Sequence, residues 1–124
     1  MLNSAVISVV DDDELILASL ESLLRSCGYT VNTYNSALAF LNSSSPENTD
    51  CLVSDIQMPG MCGTELYEAL AARNVHVPTL FITGNPGPPP QFSARVRPPE
   101  GYFSKPFDTQ AFLACIKRAL QRPR

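Results

Sequence analysis

Apolar residues fall along this chain in two rhythms that take turns. Residues 5–10, AVISVV, form a short, mostly β-branched run that stops at Asp11, Asp12 and Asp13. Residues 14–27, ELILASLESLLRSC, then place Ile16, Leu20, Leu23, Leu24 and Cys27 at helical spacing, and Gly28 supplies a C-terminal stop. YTVNTY at 29–34 alternates like a strand, and SALAFLN at 36–42 predicts a short helix opened by Ser36. A polar loop, SSSPENTD, precedes the strand-like CLVS at 51–54, which ends at Asp55. After the loop IQMPGMCG, residues 64–73 resume helical periodicity. TLFIT after Pro78 is a buried-strand pattern ending at Thr83, and Gly101–Tyr102–Phe103 is a fifth short apolar run. The last helix is predicted over 108–121, capped by Asp108, with Phe112, Cys115, Ile116 and Ala119 on one face.

Near-continuous apolar strands that alternate with helices indicate a parallel sheet covered on both faces. Right-handed crossovers leave few topologies for 124 residues. The expected fold is α/β, a doubly wound five-stranded parallel sheet of flavodoxin-like strand order 2-1-3-4-5. Residues 1–121 are expected to form one domain, and 122–124 a tail or the start of a linker.

One segment breaks the rhythm. Residues 84–99 read GNPGPPPQFSARVRPP and hold six of the chain's eleven prolines. Proline inside a helix costs on the order of 3 kcal/mol, so no full helix can run here. The helix that an α/β chain would place between its fourth and fifth strands is therefore expected to be short or unwound. Its flanks are expected to be extended or in polyproline conformation.

Composition narrows the chemistry. Hydrophobic residues make up 44% and charged residues 17%, a globular balance. Net charge is −3 and the nine basic residues are scattered, which argues against direct nucleic-acid binding by this domain. No apolar run approaches the length of a membrane span, and the N-terminus lacks the basic and apolar regions of a secretory signal. A cytoplasmic setting is expected. Cys27, Cys51, Cys62 and Cys115 contain no CxxC pair, and His76 is the single histidine. Zinc frameworks and a Cys–His catalytic pair are thereby disfavoured, and free thiols are expected. Cys27, Cys51 and Cys115 read as small core side chains, and Cys62 as a loop spacer.

In an open parallel sheet, ligands bind beyond the carboxyl ends of the strands. There the expected fold gathers Asp11 and Asp12, Asp55, Thr83, and Lys105 from Ser104–Lys105–Pro106. Singly, each has a plain structural reading: an aspartate run is often a helix-capping turn, with Asp13 as the cap or a solvated neighbour, and a lysine before proline is often a surface residue. Jointly they form a centre in which neighbouring carboxylates need a cation. Hard carboxylate oxygens suit Mg²⁺, and a metal beside Lys105 leaves room for a phosphoryl group. An aspartate nucleophile that forms an acyl phosphate is known chemistry.

With these residues in place, the chain resembles the receiver domain of two-component response regulators, the CheY-like fold, and most closely the FixJ/NarL-type receivers. The matching stretches are VVDDDE (9–14), LVSDIQMPGMCGTEL (52–66), FITG (81–84) and YFSKPF (102–107). The resemblance implies that Asp55 accepts a phosphoryl group from a sensor histidine kinase or phosphotransfer protein. It implies Mg²⁺ held by Asp11, Asp12, Asp55 and the Gln57 backbone carbonyl, with Asp12 the more direct ligand and Asp11 acting through water. Thr83 matches the hydroxyl that reorients to the phosphoryl group, Lys105 the lysine that pairs with it, and Tyr102 the aromatic switch. The bond to Pro106 would be cis, and Met58, Pro59 and Gly63 shape the loop after Asp55. Gln57 and Asn85 occupy positions that tune phosphoryl hydrolysis. The implied role is a non-enzymatic signalling switch in transcription regulation that acts on an output domain or effector protein. The resemblance leaves room for a homodimer, but the proline-rich segment departs from the family pattern, so the usual mode through the helix between strands four and five is not expected.

Two other readings use the same residues. A degenerate receiver would bind partners without phosphorylation. A Mg²⁺-dependent phosphohydrolase of the haloacid-dehalogenase kind would need Asp-x-Asp, and Gln57 stands where its second acid belongs. Nucleotide binding is disfavoured because neither GxxxxGK nor GxGxxG occurs.

Overall fold

The computed structural model of the chain describes residues 5–84, 97–105 and 107–121. The alternation of patterns resolves into β1 (Val6–Val10), α1 (Glu14–Ser26), β2 (Thr30–Tyr34), α2 (Ala37–Leu41), β3 (Cys51–Asp55), α3 (Gly63–Ala72), β4 (Thr79–Thr83), β5 (Gly101–Ser104) and α4 (Thr109–Gln121). A single 3₁₀ turn, Pro46–Asn48, lies in the loop before β3. The five strands are all parallel, in the order β2-β1-β3-β4-β5. The expected sheet and strand order are therefore present. The expectation of a shortened or unwound helix before β5 falls on 85–96, outside the described residues, as do the Pro106 bond and the tail at 122–124.

Side-chain alternation splits the core into two layers. Ile7 and Val9 of β1, Cys51 and Val53 of β3, and Leu80 and Ile82 of β4 face Leu17, Leu20 and Leu24 of α1 and Phe112, Cys115, Ile116 and Ala119 of α4. On the other side Val10 and Leu52 pack with Ala37, Phe40 and Leu41 of α2 and Leu66 and Leu70 of α3. Both faces of β3 are covered, which is why CLVSD lacks a polar side.

The helix ends follow local chemistry. Asp13 caps α1, its Oδ1 accepting from the amides of Leu15 at 2.9 Å and Ile16 at 3.4 Å. Gly28 ends α1 at φ +94, with its amide on the Arg25 carbonyl and that of Tyr29 on the Leu24 carbonyl. Ser36 and Asp108 cap α2 and α4 as expected. Two cysteine readings change. Cys27 is exposed, because it sits just past the last turn of α1, where the helical phase no longer aims inward. Cys62 is no mere spacer: it is the N-cap of α3, and its amide donates to Glu65 Oε1 at 2.9 Å. All four thiols are free, with Cys51 and Cys115 buried.

Gly63 shows how tightly α3 is set against the end of β3. A Cβ there would lie 2.2 Å from the Asp55 carbonyl oxygen, and that atom is backbone and cannot step aside. Gly63→Ala is expected to destabilise the fold by roughly 1–3 kcal/mol. Gly84→Ala, where a Cβ meets nothing within 4 Å, is expected to be near neutral. Urea unfolding of the two variants side by side checks this.

Candidate functional site

The sheet register brings the acids together. β1 pairs with β3 from Ile7↔Cys51 to Val10↔Ser54, so the next residues of the two strands, Asp11 and Asp55, emerge side by side. Asp11 continues the Ile7, Val9 side of β1, Asp55 the Cys51, Val53 side of β3, and Lys105 the Phe103 side of β5. Strand alternation thus sends all three side chains out on one side. Backbone bonds hold the strand ends: the Asp11 amide donates to the Tyr34 carbonyl (3.1 Å), Ile56 to Ile82 (3.0 Å) and Lys105 to Thr83 (2.7 Å).

The loop after Asp55 is equally constrained. Met58 is buried in the α2/α3 layer, Gly60 takes φ +77 in the turn after Pro59, and the Gly63 amide closes the loop on the Ile56 carbonyl at 2.8 Å. Gln57 is exposed, and its backbone amide hydrogen-bonds the Asp55 carboxylate.

Ligand oxygens of Asp11, Asp12 and Asp55 lie within 4.8 Å of one another. Asp11 is fully buried and Asp55 is 5% exposed, whereas Asp12 is exposed. The Asp11 carboxylate is engaged at both oxygens. Oδ1 accepts from the Asp13 amide at 2.8 Å, and Oδ2 from Lys105 Nζ at 3.2 Å. The same ammonium lies 3.8 Å from Asp55 Oδ2. One lysine therefore serves two buried carboxylates, and among the described residues three acids against one base leave an excess of negative charge.

That imbalance appears in the acidities. Burial pushes the Asp55 carboxyl up from 3.8 to about 6, with the Asp11 charge adding to the rise while Lys105 and the Gln57 amide oppose it. Burial also raises Asp11, against the Asp13 amide and Lys105. Desolvation wins in both cases, because a single half-buried ammonium cannot replace the water that two carboxylates have lost. A cluster of hard oxygen donors with surplus negative charge fits a divalent cation of the Mg²⁺ type.

The remaining expected residues lie at the same edge. Thr83 ends β4 beside Ser104 of β5, and alternation puts it on the side of Phe81. Tyr102 is half-buried, and its ring stacks on Phe81 with centroids 5.8 Å apart. Asn85 lies outside the described residues. Sequence reasoning missed Tyr67 of α3, whose ring joins this pair: its centroid is 5.7 Å from that of Phe81 in an edge contact. No spacing rule links residues 67, 81 and 102, so only the packed structure could reveal that row.

The raised Asp55 acidity predicts a pH dependence. An unfolded aspartate ionises near 3.8 and the folded one near 6, so the folded state holds an extra proton between these values. Ionising it above about 6 costs the fold, and below about 4 the cost vanishes. In chelator, wild-type stability should fall as pH rises through this window. Asp55→Asn should lose most of that dependence and gain on the order of 2–3 kcal/mol over wild type above pH 6. Thermal unfolding followed by circular dichroism across pH 4–8 reads both.

Comparison with known proteins agrees with this fold. The response regulator receiver domain family matches residues 7–117. The transcriptional regulatory protein FixJ of Azorhizobium caulinodans is 36% identical over 122 residues, covering 98% of this chain and 58% of FixJ. The structure of the response regulator StyR superposes with a TM-score of 0.85 at 39% identity, over 96% of this chain and 60% of StyR. The crystal structure of FixJ-N superposes at 0.82 with 28% identity, over 99% and 98% of the two chains. The chain thus spans about three fifths of FixJ and StyR. Among the described residues no helix is long and apolar enough to cross a membrane. In sequence and in topology, the chain belongs to the receiver-domain family of response regulators.

Proposed function

We propose that the domain is a phosphorylation-dependent switch whose acceptor is Asp55. The observation that carries this reading is the pairing of a buried, proton-hungry carboxylate with an ammonium 3.8 Å away, beside two further acids. Asp55 is the member of the cluster that comes from a central strand and is set by a loop bonded to its own strand end.

Asp12, Asp55 and the Gln57 carbonyl would hold Mg²⁺, with Asp11 acting through water. The exposure of Asp12 and the full engagement of Asp11 by Asp13 and Lys105 favour that division. When bound, the ion supplies positive charge to phosphoryl oxygens. The Asp55 carboxylate oxygen attacks the phosphorus of a phosphohistidine on a sensor kinase or phosphotransfer protein. The new P–O bond makes an acyl phosphate as the P–N bond breaks, and the departing imidazole keeps the electron pair and takes a proton from solvent. Lys105 then pairs with the phosphoryl oxygens. Thr83 supplies a hydroxyl to them, and Tyr102 follows on the adjoining strand, so that the β4–β5 edge changes its preferred partners. By its likeness to FixJ, a transcriptional regulatory protein, the output is control of transcription through a further domain or effector.

Acetyl phosphate with Mg²⁺, followed by intact mass, tests the reading. Wild type should gain one phosphoryl group, Asp55→Asn none, and chelation should abolish the gain. Lys105→Ala should slow the uptake by on the order of a hundredfold. Absence of uptake by wild type would point to a degenerate receiver. Continuous phosphate release from unrelated monoesters would point to a hydrolase.

A further inference from the structure

The aromatic row beside the site extends past Tyr102. Phe81 is fully buried two residues before Thr83, with Tyr102 stacked on it and Tyr67 in edge contact with it. Tyr67 is 8% exposed, and its hydroxyl donates to the backbone carbonyl of Arg97. Three residues later the Glu100 amide donates to the Thr79 carbonyl at 2.8 Å, just before β5 begins. The stretch leading into β5 is therefore held at two points. One is the edge of β4 and the other is a side chain of α3.

This gives Tyr67 a position that packing alone does not require. A phenylalanine would make the same edge contact with Phe81, so the tether to Arg97 belongs to the hydroxyl. Phe81 is fully buried and in ring contact with both tyrosines, in a close-packed layer where a shift of one ring displaces its neighbour. A change in the Tyr102 ring therefore reaches Tyr67 through Phe81, and the hydroxyl passes it to the chain at Arg97.

We infer that Tyr67 is a positioning residue of the switch: its hydroxyl ties the backbone at Arg97 to the Phe81–Tyr102 stack and makes residues 97–100 report the state of Asp55. The inference rests on Asp55 being the phosphoryl acceptor, and it adds a residue on α3 to a response otherwise confined to β4 and β5.

Hydrogen exchange of the Glu100 amide in wild type and Tyr67→Phe, with and without acetyl phosphate and Mg²⁺, tests it. In unloaded Tyr67→Phe, exchange at Glu100 should be about fivefold faster, the effect of losing one modest hydrogen bond. Loading should change Glu100 exchange in wild type by at least about that factor and in Tyr67→Phe by far less. Phosphoryl uptake at Asp55 and exchange in β1 and β3 should be the same in both proteins, which a general loss of structure would not allow. Equal Glu100 exchange in the two unloaded proteins would overturn the tether. A Tyr67→Phe response to loading as large as that of wild type would overturn the relay. If wild type takes up no phosphoryl group, intact mass shows it directly, and the relay falls with the acceptor, whatever the unloaded comparison gives.

Discussion

The constraint on which the rest of this structure depends is the sharing of one ammonium between two desolvated carboxylates. Lys105 Nζ lies 3.2 Å from Asp11 and 3.8 Å from Asp55, and both acids are raised despite it. A pair chosen for stability alone would match charge with charge, and even then would gain little over apolar packing. Here the fold accepts an electrostatic deficit at the end of its central strands. Such a deficit has chemical value only when more positive charge arrives, and it marks the edge of the sheet where a cation and a phosphoryl group can be received together.

Supporting that deficit takes rigid surroundings. Parallel strands supply them, because each strand end is tied to its neighbour by a backbone hydrogen bond: Asp11 to Tyr34, Ile56 to Ile82, Lys105 to Thr83. The Gly63 contact with the Asp55 carbonyl presses α3 against the same spot. Charged groups that would otherwise turn outward to water are thereby held facing one another. The side of the sheet away from the charges carries the aromatic row. The charges of Asp11, Asp55 and Lys105 thus lie on one side of the sheet, and the rings of Phe81 and Tyr102 on the other, with Thr83 on the side of the rings. Side-chain alternation in β4 and β5 links the two within a few residues of chain.

The sequence was sufficient for a large part of this. The β-branched run at 5–10, the helical spacing of Leu20, Leu23 and Leu24, and the caps Asp13, Ser36 and Asp108 are local signals, and each stands where its pattern places it. Local signals are legible because a cap or an amphipathic face is satisfied within a few residues. Where phase changes at an element's end they mislead, as at Cys27, which follows the helical spacing and yet is exposed. Asp11, Asp12, Asp55, Thr83 and Lys105 could be grouped because topology, once granted, sends strand-end residues to one edge, whereas their separate roles are what the receiver resemblance implies.

Distances, burial and partners were decided by the tertiary structure. That Asp11 is completely enclosed while adjacent Asp12 is exposed depends on which side of the chain each takes at the end of β1 and on the Asp13 amide and Lys105 closing on Asp11. That Tyr67 meets Phe81, and through it Tyr102, depends on how α3 lies across β4. One chain determines its periodicities and its chemistry-bearing residues, because these are properties of neighbours along the backbone. How strongly a carboxylate is desolvated, and which ring touches which, are properties of neighbours in space that exist only once strands 44 residues apart pair in register, as Ile7 and Cys51 do.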